Sequence, residues 1–159
     1  PRRGETFVTR KITRAVSRIH VGLQEKIILG NLDASRDWGY AKDFVEGMYL
    51  MMNHQNPDDW VLATGETHTV KEFLDIAFNY LNLNWEDYVL TSERYYRPNE
   101  VNHLLGDSSK AQKELGWKIK TSFEELVRLM VDSDLDLARK EKVLFDNGML
   151  KPTWEHPSS

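Results

Sequence analysis

A chain of 159 residues with 21 Lys and Arg, 25 Asp and Glu and a formal net charge of −4 lacks the basic field that broad nucleic-acid binding requires, so any anion it holds is held by a few placed cations. The absence of cysteine excludes disulfides, thiolate metal sites and a cysteine nucleophile, and fits a reducing compartment. A 40% hydrophobic content suffices for one sizeable domain, and no apolar run approaches the roughly 20 residues of a membrane span.

In chain order, Pro1 is not an initiator methionine and no charged-then-apolar leader follows it. The expectation is a cytoplasmic chain that is a piece of something longer. Phe7, Val8, Ile12, Ala15, Val16 and Ile19 recur at helical spacing, with Arg10, Lys11, Arg14 and Arg18 mostly on other faces, and Gly22 ends that helix. Lys26 to Gly30 is a short strand candidate. Ala41, Phe44, Val45, Met48, Met51 and Met52 predict the inward stripe of a second helix, stopped near Asn56-Pro57.

Trp60 to Thr64 is an apolar strand candidate closed by Gly65, and Thr69-Val70-Lys71-Glu72 is a capping box opening a helix with Phe73, Ile76, Ala77 and Tyr80 inside. Strand followed by helix, twice, argues for an α/β fold. Tyr88-Val89-Leu90 is a further strand candidate and Arg97 to Glu100 a loop. Asp107-Ser108-Ser109 caps a short helix that Gly116 ends, and Ser122-x-x-Glu125 opens a long last helix striped by Phe123, Leu126, Val127, Met130, Val131, Leu135 and Ala138. The tail, residues 151–159, contains Pro152 and Pro157 and has no period; it is expected to be poorly ordered.

The chemistry is as informative for what it lacks. No two of the nine glycines stand two positions apart, so the G-x-G-x-x-G turn of a dinucleotide fold is absent, as is a Walker-type loop. The five histidines lack the spacing of a helical metal site, and no metal is expected. What remains is a set of cations and hydrogen-bonding groups at loops and helix starts. Arg36 follows a strand and precedes a helix N-terminus, where free amides favour an anion and a guanidinium adds two parallel hydrogen bonds to phosphate oxygens. Arg97 lies in a loop stiffened by Pro98, with Glu100 near enough to accept from paired ribose hydroxyls. Against this stands a plainer reading, in which Arg36-Asp37 is a surface ion pair worth ~0–1 kcal/mol and Trp38 is core packing.

Several blocks taken together carry a resemblance. Pro1-Arg2-Arg3-Gly4, Phe7 to Ile12, Leu29 to Tyr40, Ala63 to Val70, Tyr95 to Val101 and Leu115 to Lys118 closely resemble the C-terminal half of the GDP-mannose 4,6-dehydratase family, extended short-chain dehydrogenase/reductases with an N-terminal Rossmann domain for NADP. Lys140 to Leu144 looks like the plant-type members. The match covers nearly the whole chain, with residues 1–150 as the nucleotide-sugar-binding portion.

The resemblance implies a fold that is α/β, helix-rich and the substrate-binding part of a Rossmann-type enzyme. It implies a reaction in which GDP-mannose is oxidised at C4, loses water across C5 and C6, and is reduced at C6, as in routes to GDP-fucose. It also implies roles: Lys11, with Val8 and Thr9 beside it, toward guanine; Arg36 and Arg97 on the diphosphate; Glu100 on ribose; Asn31 in the pocket wall; Arg3 toward NADP, with Arg2 less directly. The family's glycine-rich turn, its threonine and acidic pair and its Tyr-x-x-x-Lys couple would lie upstream of Pro1, and no tyrosine here has a lysine four positions on. No catalytic residue is therefore expected in these 159 residues, and no dehydratase activity from the chain alone.

Partners implied are GDP-mannose or GDP and either a second copy or a complementing N-terminal half, because the first helix would otherwise present an uncovered apolar face. Two other readings stay open: a different nucleotide-sugar enzyme of the same superfamily, an epimerase or a reductase, and a non-catalytic module that binds a nucleotide sugar or another subunit.

Overall fold

The computed structural model describes residues 1–95, 101 and 103–152. Among them are five helices: α1 (Val8–His20), α2 (Ala41–Met52), α3 (Val70–Tyr80), α4 (Ser109–Leu115) and α5 (Phe123–Asp146). Four short strands accompany them: β1 (Ile27–Leu29), β2 (Ser35–Arg36), β3 (His68–Thr69) and β4 (Val89–Thr91). The chain divides into two compact units, the first made of Pro1–Gly30, Leu74–Tyr95 and Val127–Ser159, the second of Asn31–Phe73 and Tyr96–Leu126. No helix among the described residues is long and apolar enough to cross a membrane.

In the first unit β1 and β4 pair in parallel, with Ile27 opposite Val89 and Leu29 opposite Thr91. Ile27 and Leu29 point to the buried side, 1% and 3% exposed, which is the alternation a half-covered strand requires. Helix α1 carries no side-chain cap at Phe7. Its other end is closed by Gly22 at φ 75°, with Gly22 N–H donating to Ile19 O and Leu23 N–H to Arg18 O. Gly148 at φ 69° closes α5 in the same double-bonded way, through Phe145 O and Leu144 O.

The expected apolar stripe of α1 is present in Ile12, Ala15, Val16 and Ile19, none more than 7% exposed. Phe7 is half exposed, and the arginines are not where the periodicity put them. Arg14 and Arg18 are buried, 2% and 6% exposed, as are Thr13 and Ser17, so α1 is covered on two faces and does not present the open apolar face expected of it. The cations are neutralised mainly by α5, with Glu5 also 3.4 Å from Arg14 Nε and 3.9 Å from Arg18 Nη2. Arg10 Nε meets Asp134 Oδ1 at 3.1 Å, and Thr13 Oγ1 donates to Asp134 Oδ2 at 2.6 Å. Arg18 forks onto Glu141 through Nε at 3.0 Å and Nη2 at 3.1 Å, and Arg14 Nη2 joins it there. Arginines four residues apart on α1 thus face carboxylates seven apart on α5, a match of helical faces.

The capping boxes form as expected. Thr69 N donates to Glu72 Oε2 at 2.7 Å while Glu72 N donates to Thr69 Oγ1 at 3.0 Å, and Ser122 and Glu125 exchange the same pair of bonds. The α5 stripe is buried as read, with Asp134 buried alongside it. The inner face of α3 is rotated: Phe73, Leu74, Ala77 and Phe78 are buried, Ile76 is half-buried and Tyr80 is exposed, its hydroxyl donating to Asp132 at 3.0 Å.

Two further expectations in the second unit are corrected. Trp60 to Thr64 is not a strand; Thr64 N–H goes to the Asp37 carboxylate at 2.9 Å and not to a neighbouring strand, and no described strand pairs with the run. Helix α2 turns its small and polar side inward, burying Asp43 and Gly47. At Gly47 a Cβ would stand 2.7 Å from Leu62 Cδ1 and 3.0 Å from Trp117 Nε1. The absence of a side chain there lets α2 approach Leu62 and Trp117. The expected apolar stripe is consequently split: Phe44, edge-on to Trp117 at 5.7 Å, and Met51 are half-buried, whereas Val45, Met48 and Met52 are exposed together with Tyr49.

Burial opposes charge on Glu141, but hydrogen bonding to Arg18 and the charges of Arg18 and Arg14 outweigh it and hold the carboxyl below its ordinary 4.5. A depressed folded-state value means that this contribution to stability is complete above about pH 4.5 and is lost as the pH falls through the folded-state value. Glu141→Gln removes the nearer carboxylate from two buried guanidinium groups, which keep the exposed Glu5 at 3.4 Å from Arg14 Nε and 3.9 Å from Arg18 Nη2, and is expected to cost up to about 3–5 kcal/mol at neutral pH. Urea titrations across the acid range should also show a shallower acid loss of stability in this variant than in the parent chain.

Candidate functional site

The quartet Arg36-Asp37-Trp38-Gly39 is built into the second unit by backbone pairing on two sides. Strand β2 runs antiparallel to β3, with Ser35 opposite Thr69 and Arg36 opposite His68, and the pairing is extended by Val70 N to Ala34 O at 3.2 Å and Lys71 N to Leu32 O at 3.0 Å. On its other side Ser35 bridges His103 in parallel, and Leu104 N donates to Ser35 O at 3.3 Å. Arg36 therefore belongs to a strand held from both flanks. Its Nη1 donates to Ser35 O at 2.8 Å and to Val101 O at 2.6 Å, which fixes the direction of the guanidinium.

The residue that organises this region is Asp37. Its Oδ1 accepts from Thr64 N at 2.9 Å and Thr64 Oγ1 at 2.6 Å; its Oδ2 accepts from Gly65 N at 3.2 Å and Gly106 N at 3.3 Å. Four donors from two other segments satisfy one carboxylate, so the Thr64-Gly65 turn, read from sequence as a strand end, is a carboxylate-held loop. Asp43 does similar work in the first turn of α2. Its Oδ2 accepts from Lys120 N at 3.1 Å and Thr121 N at 3.0 Å, and its carbonyl accepts from Trp117 Nε1 at 2.8 Å. Trp38 packs in the plainer manner, stacked on Phe123 at 5.8 Å and edge-on to Phe73 at 5.6 Å.

Sequence reasoning singled out Arg36 and missed Asp37 and Asp43. Nothing local marks them, because their partners lie 27 to 78 positions away. Asn31 engages its own turn, its Oδ1 accepting from Asp33 N at 2.9 Å. Arg97 and Glu100 lie outside the described residues, as does the tail beyond Pro152.

The remaining candidates stand in the first unit. Lys11 Nζ donates to Ile28 O, in the middle of β1, at 2.6 Å and lies 4.3 Å from the centre of the Tyr95 ring. Burial lowers its pKa, as expected for an ammonium taken partly out of water. One carbonyl takes one of its three N–H donors, leaving the group chemically able to serve a second acceptor. Val8 and Thr9, in the first turn of α1, are half-buried. Arg3 and Arg2 are exposed; the Arg3 guanidinium sits 3.7 Å above the Phe7 ring, and its carbonyl accepts from Arg10 Nη1 at 2.7 Å.

Comparison with solved structures places this fold. The structure of RMD from Pseudomonas aeruginosa, complexed with NADPH, is 17% identical with a TM-score of 0.78, over 86% of this chain and 45% of that one. A UDP-glucose 4-epimerase from Thermotoga maritima is 25% identical with a TM-score of 0.69, over 87% of this chain and 41% of its own. The chain thus has the α/β fold of part of these Rossmann-type proteins. By sequence it is 62% identical to GDP-mannose 4,6 dehydratase 1 of Arabidopsis thaliana over 150 residues, 94% of this chain and 42% of that protein. It is 46% identical to the GDP-mannose 4,6 dehydratase of Homo sapiens, over 87% of this chain and 42% of that one. The chain spans about two fifths of the length of these relatives. The profile of the family described as GDP-mannose 4,6 dehydratase matches residues 1–130, and the chain belongs to that family.

Proposed function

We propose that this chain supplies the nucleotide-sugar-binding part of an NADP-dependent GDP-mannose 4,6-dehydratase, a cytoplasmic lyase that converts GDP-mannose to GDP-4-dehydro-6-deoxymannose and water. The observation that carries the reading is 62% identity to a plant GDP-mannose 4,6 dehydratase over 150 residues, with Arg36 oriented by two carbonyls on a strand held from both flanks.

In this reading Arg36 and Arg97 grip the diphosphate, where charge-assisted bonds to phosphate oxygens are stronger than neutral ones. Glu100 accepts from ribose hydroxyls and Asn31 shapes the wall. Lys11 reads guanine through its oxygen, with Val8 and Thr9 lining the approach. Arg3, exposed over Phe7, approaches NADP in this reading, while the sequence has no glycine-rich turn to hold most of the cofactor. The cofactor and the acid and base groups are assigned to the portion of the fold outside these 159 residues, and no reaction step is assigned to residues here.

Calorimetric titration with GDP, and with UDP as control, tests the reading. Arg36→Ala and Arg97→Ala are each expected to cost ~1.5–3 kcal/mol, roughly ten- to a hundredfold in GDP affinity, with little change in melting temperature. Equal affinity for GDP and UDP in the parent chain would overturn the assignment. Lys11→Met is expected to remove most of the preference for GDP over UDP.

The partner in this reading is a complementing N-terminal portion, joined or separate. Val45, Met48, Tyr49 and Met52 on α2, 54% to 87% exposed and spaced as one helical stripe, support it: such a face is costly to leave in water, and the chain spans two fifths of its relatives. Met48→Glu with Met52→Glu should abolish capture of a separately expressed N-terminal portion, measured by co-purification, without lowering the chain's own helix content. Undiminished capture would move the interface elsewhere.

A further inference from the structure

We infer that Asp37 is a positioning residue for the diphosphate grip, acting through Arg36 and the segment 101–106. The inference rests on the role proposed for Arg36. Three bonds tie residues 35–37 to that segment: Arg36 Nη1 to Val101 O at 2.6 Å, Leu104 N to Ser35 O at 3.3 Å, and Gly106 N to Asp37 Oδ2 at 3.3 Å. Asp37 is the member that also holds the facing turn, through Thr64 N, Thr64 Oγ1 and Gly65 N. It thereby ties the backbone beside Arg36 to two loops at once.

Position is what such a grip needs. A bidentate contact of guanidinium with phosphate is directional, and a long side chain delivers it only if its backbone and its first contacts are fixed. In sequence, Glu100 directly precedes Val101 and Arg97 lies four positions before it. A carboxylate next to an anion site would by itself repel the ligand. Four hydrogen-bond donors on Asp37 disperse that charge into backbone and hydroxyl groups, so the carboxylate can serve as an anchor without competing for the arginine.

Asparagine is the discriminating substitution. Its oxygen can keep the Thr64 bonds, but its NH2 group then faces the N–H groups of Gly65 and Gly106, donor against donor. Asp43→Asn is the matched control: it strikes another carboxylate that accepts backbone amides, those of Lys120 and Thr121, with none of its bonds in the 101–106 segment.

Titration of the full chain and both variants with GDP and with guanosine tests this. Asp37→Asn is expected to weaken GDP binding about tenfold or more while guanosine affinity stays within about twofold, and to add little when combined with Arg36→Ala. Asp43→Asn is expected to lower the melting temperature and leave the ratio of GDP to guanosine affinity unchanged. If Asp37→Asn does not fold, hydrogen exchange on the parent chain decides: GDP, but not guanosine, should slow exchange at the Leu104 and Gly106 amides. Loss of GDP and guanosine affinity in equal measure, unchanged GDP affinity, or no GDP-specific protection would overturn the inference while leaving the functional reading in place. A parent chain indifferent between GDP and UDP would overturn the reading and the inference together.

Discussion

The second unit depends on one constraint: a carboxylate in a half-buried place must find donors, and Asp37 finds four of them. Two come from Thr64, one from Gly65 and one from Gly106. Removing a buried acceptor leaves each donor to bear its own desolvation cost, so the bonds act as a set. Asp43 repeats the device at the start of α2, where Lys120 N, Thr121 N and Trp117 Nε1 all come to one residue. Between them these two aspartates secure β2, the turn into α2 and the ends of three loops. The donors are largely backbone amides, so their positions follow the course of the chain and depend little on side-chain identity.

The first unit solves a similar problem with side chains. Arg10, Arg14 and Arg18 would be an unfavourable row of cations on one helix, and buried Asp134 and half-buried Glu141 an unfavourable pair of carboxylates on another. Brought together they neutralise each other. Buried ion pairs add little net stability over well-packed apolar residues, but breaking one is costly. For α1 and α5 the consequence is a register: a slide of either helix by one turn would separate Thr13 and Arg10 from Asp134 and Arg18 from Glu141.

These two kinds of anchoring bear differently on function. In the second unit the anchors lie beside Arg36, on a strand flanked by β3 and by His103, and they concern how steadily a cation is presented. In the first unit Lys11 shares α1 with the buried arginines but faces β1, where Ile28 O and the Tyr95 ring receive it. Neighbouring cations on one helix therefore have unlike surroundings: the arginines meet carboxylates, while Lys11 meets one carbonyl that uses one of its three donors.

The sequence by itself determined the local rules: α1, α2, α3, α4 and α5, the two capping boxes, the glycine-closed helix ends and the strands β1 and β4, because these follow from periodicity, caps and left-handed glycine within a few residues. It also carried the family, since the motif blocks that resembled GDP-mannose 4,6-dehydratases survive as 62% identity over 150 residues. The apolar stripes of α1 and α5 were legible as well, but only tertiary structure decided the inner face of α2, the rotation of α3 and the burial of the α1 arginines. Val45, Met48 and Met52 of the α2 stripe point outward because Gly47 and Asp43 meet Leu62, Trp117 and the 120–121 amides, and the α1 arginines go inward because carboxylates arrive from α5. Trp60 to Thr64 is not a strand because a ladder needs a partner and Thr64 N–H is taken by Asp37. In each case the deciding group lies tens of residues away, beyond the reach of any local pattern, and a charge is placed by the groups that can solvate it.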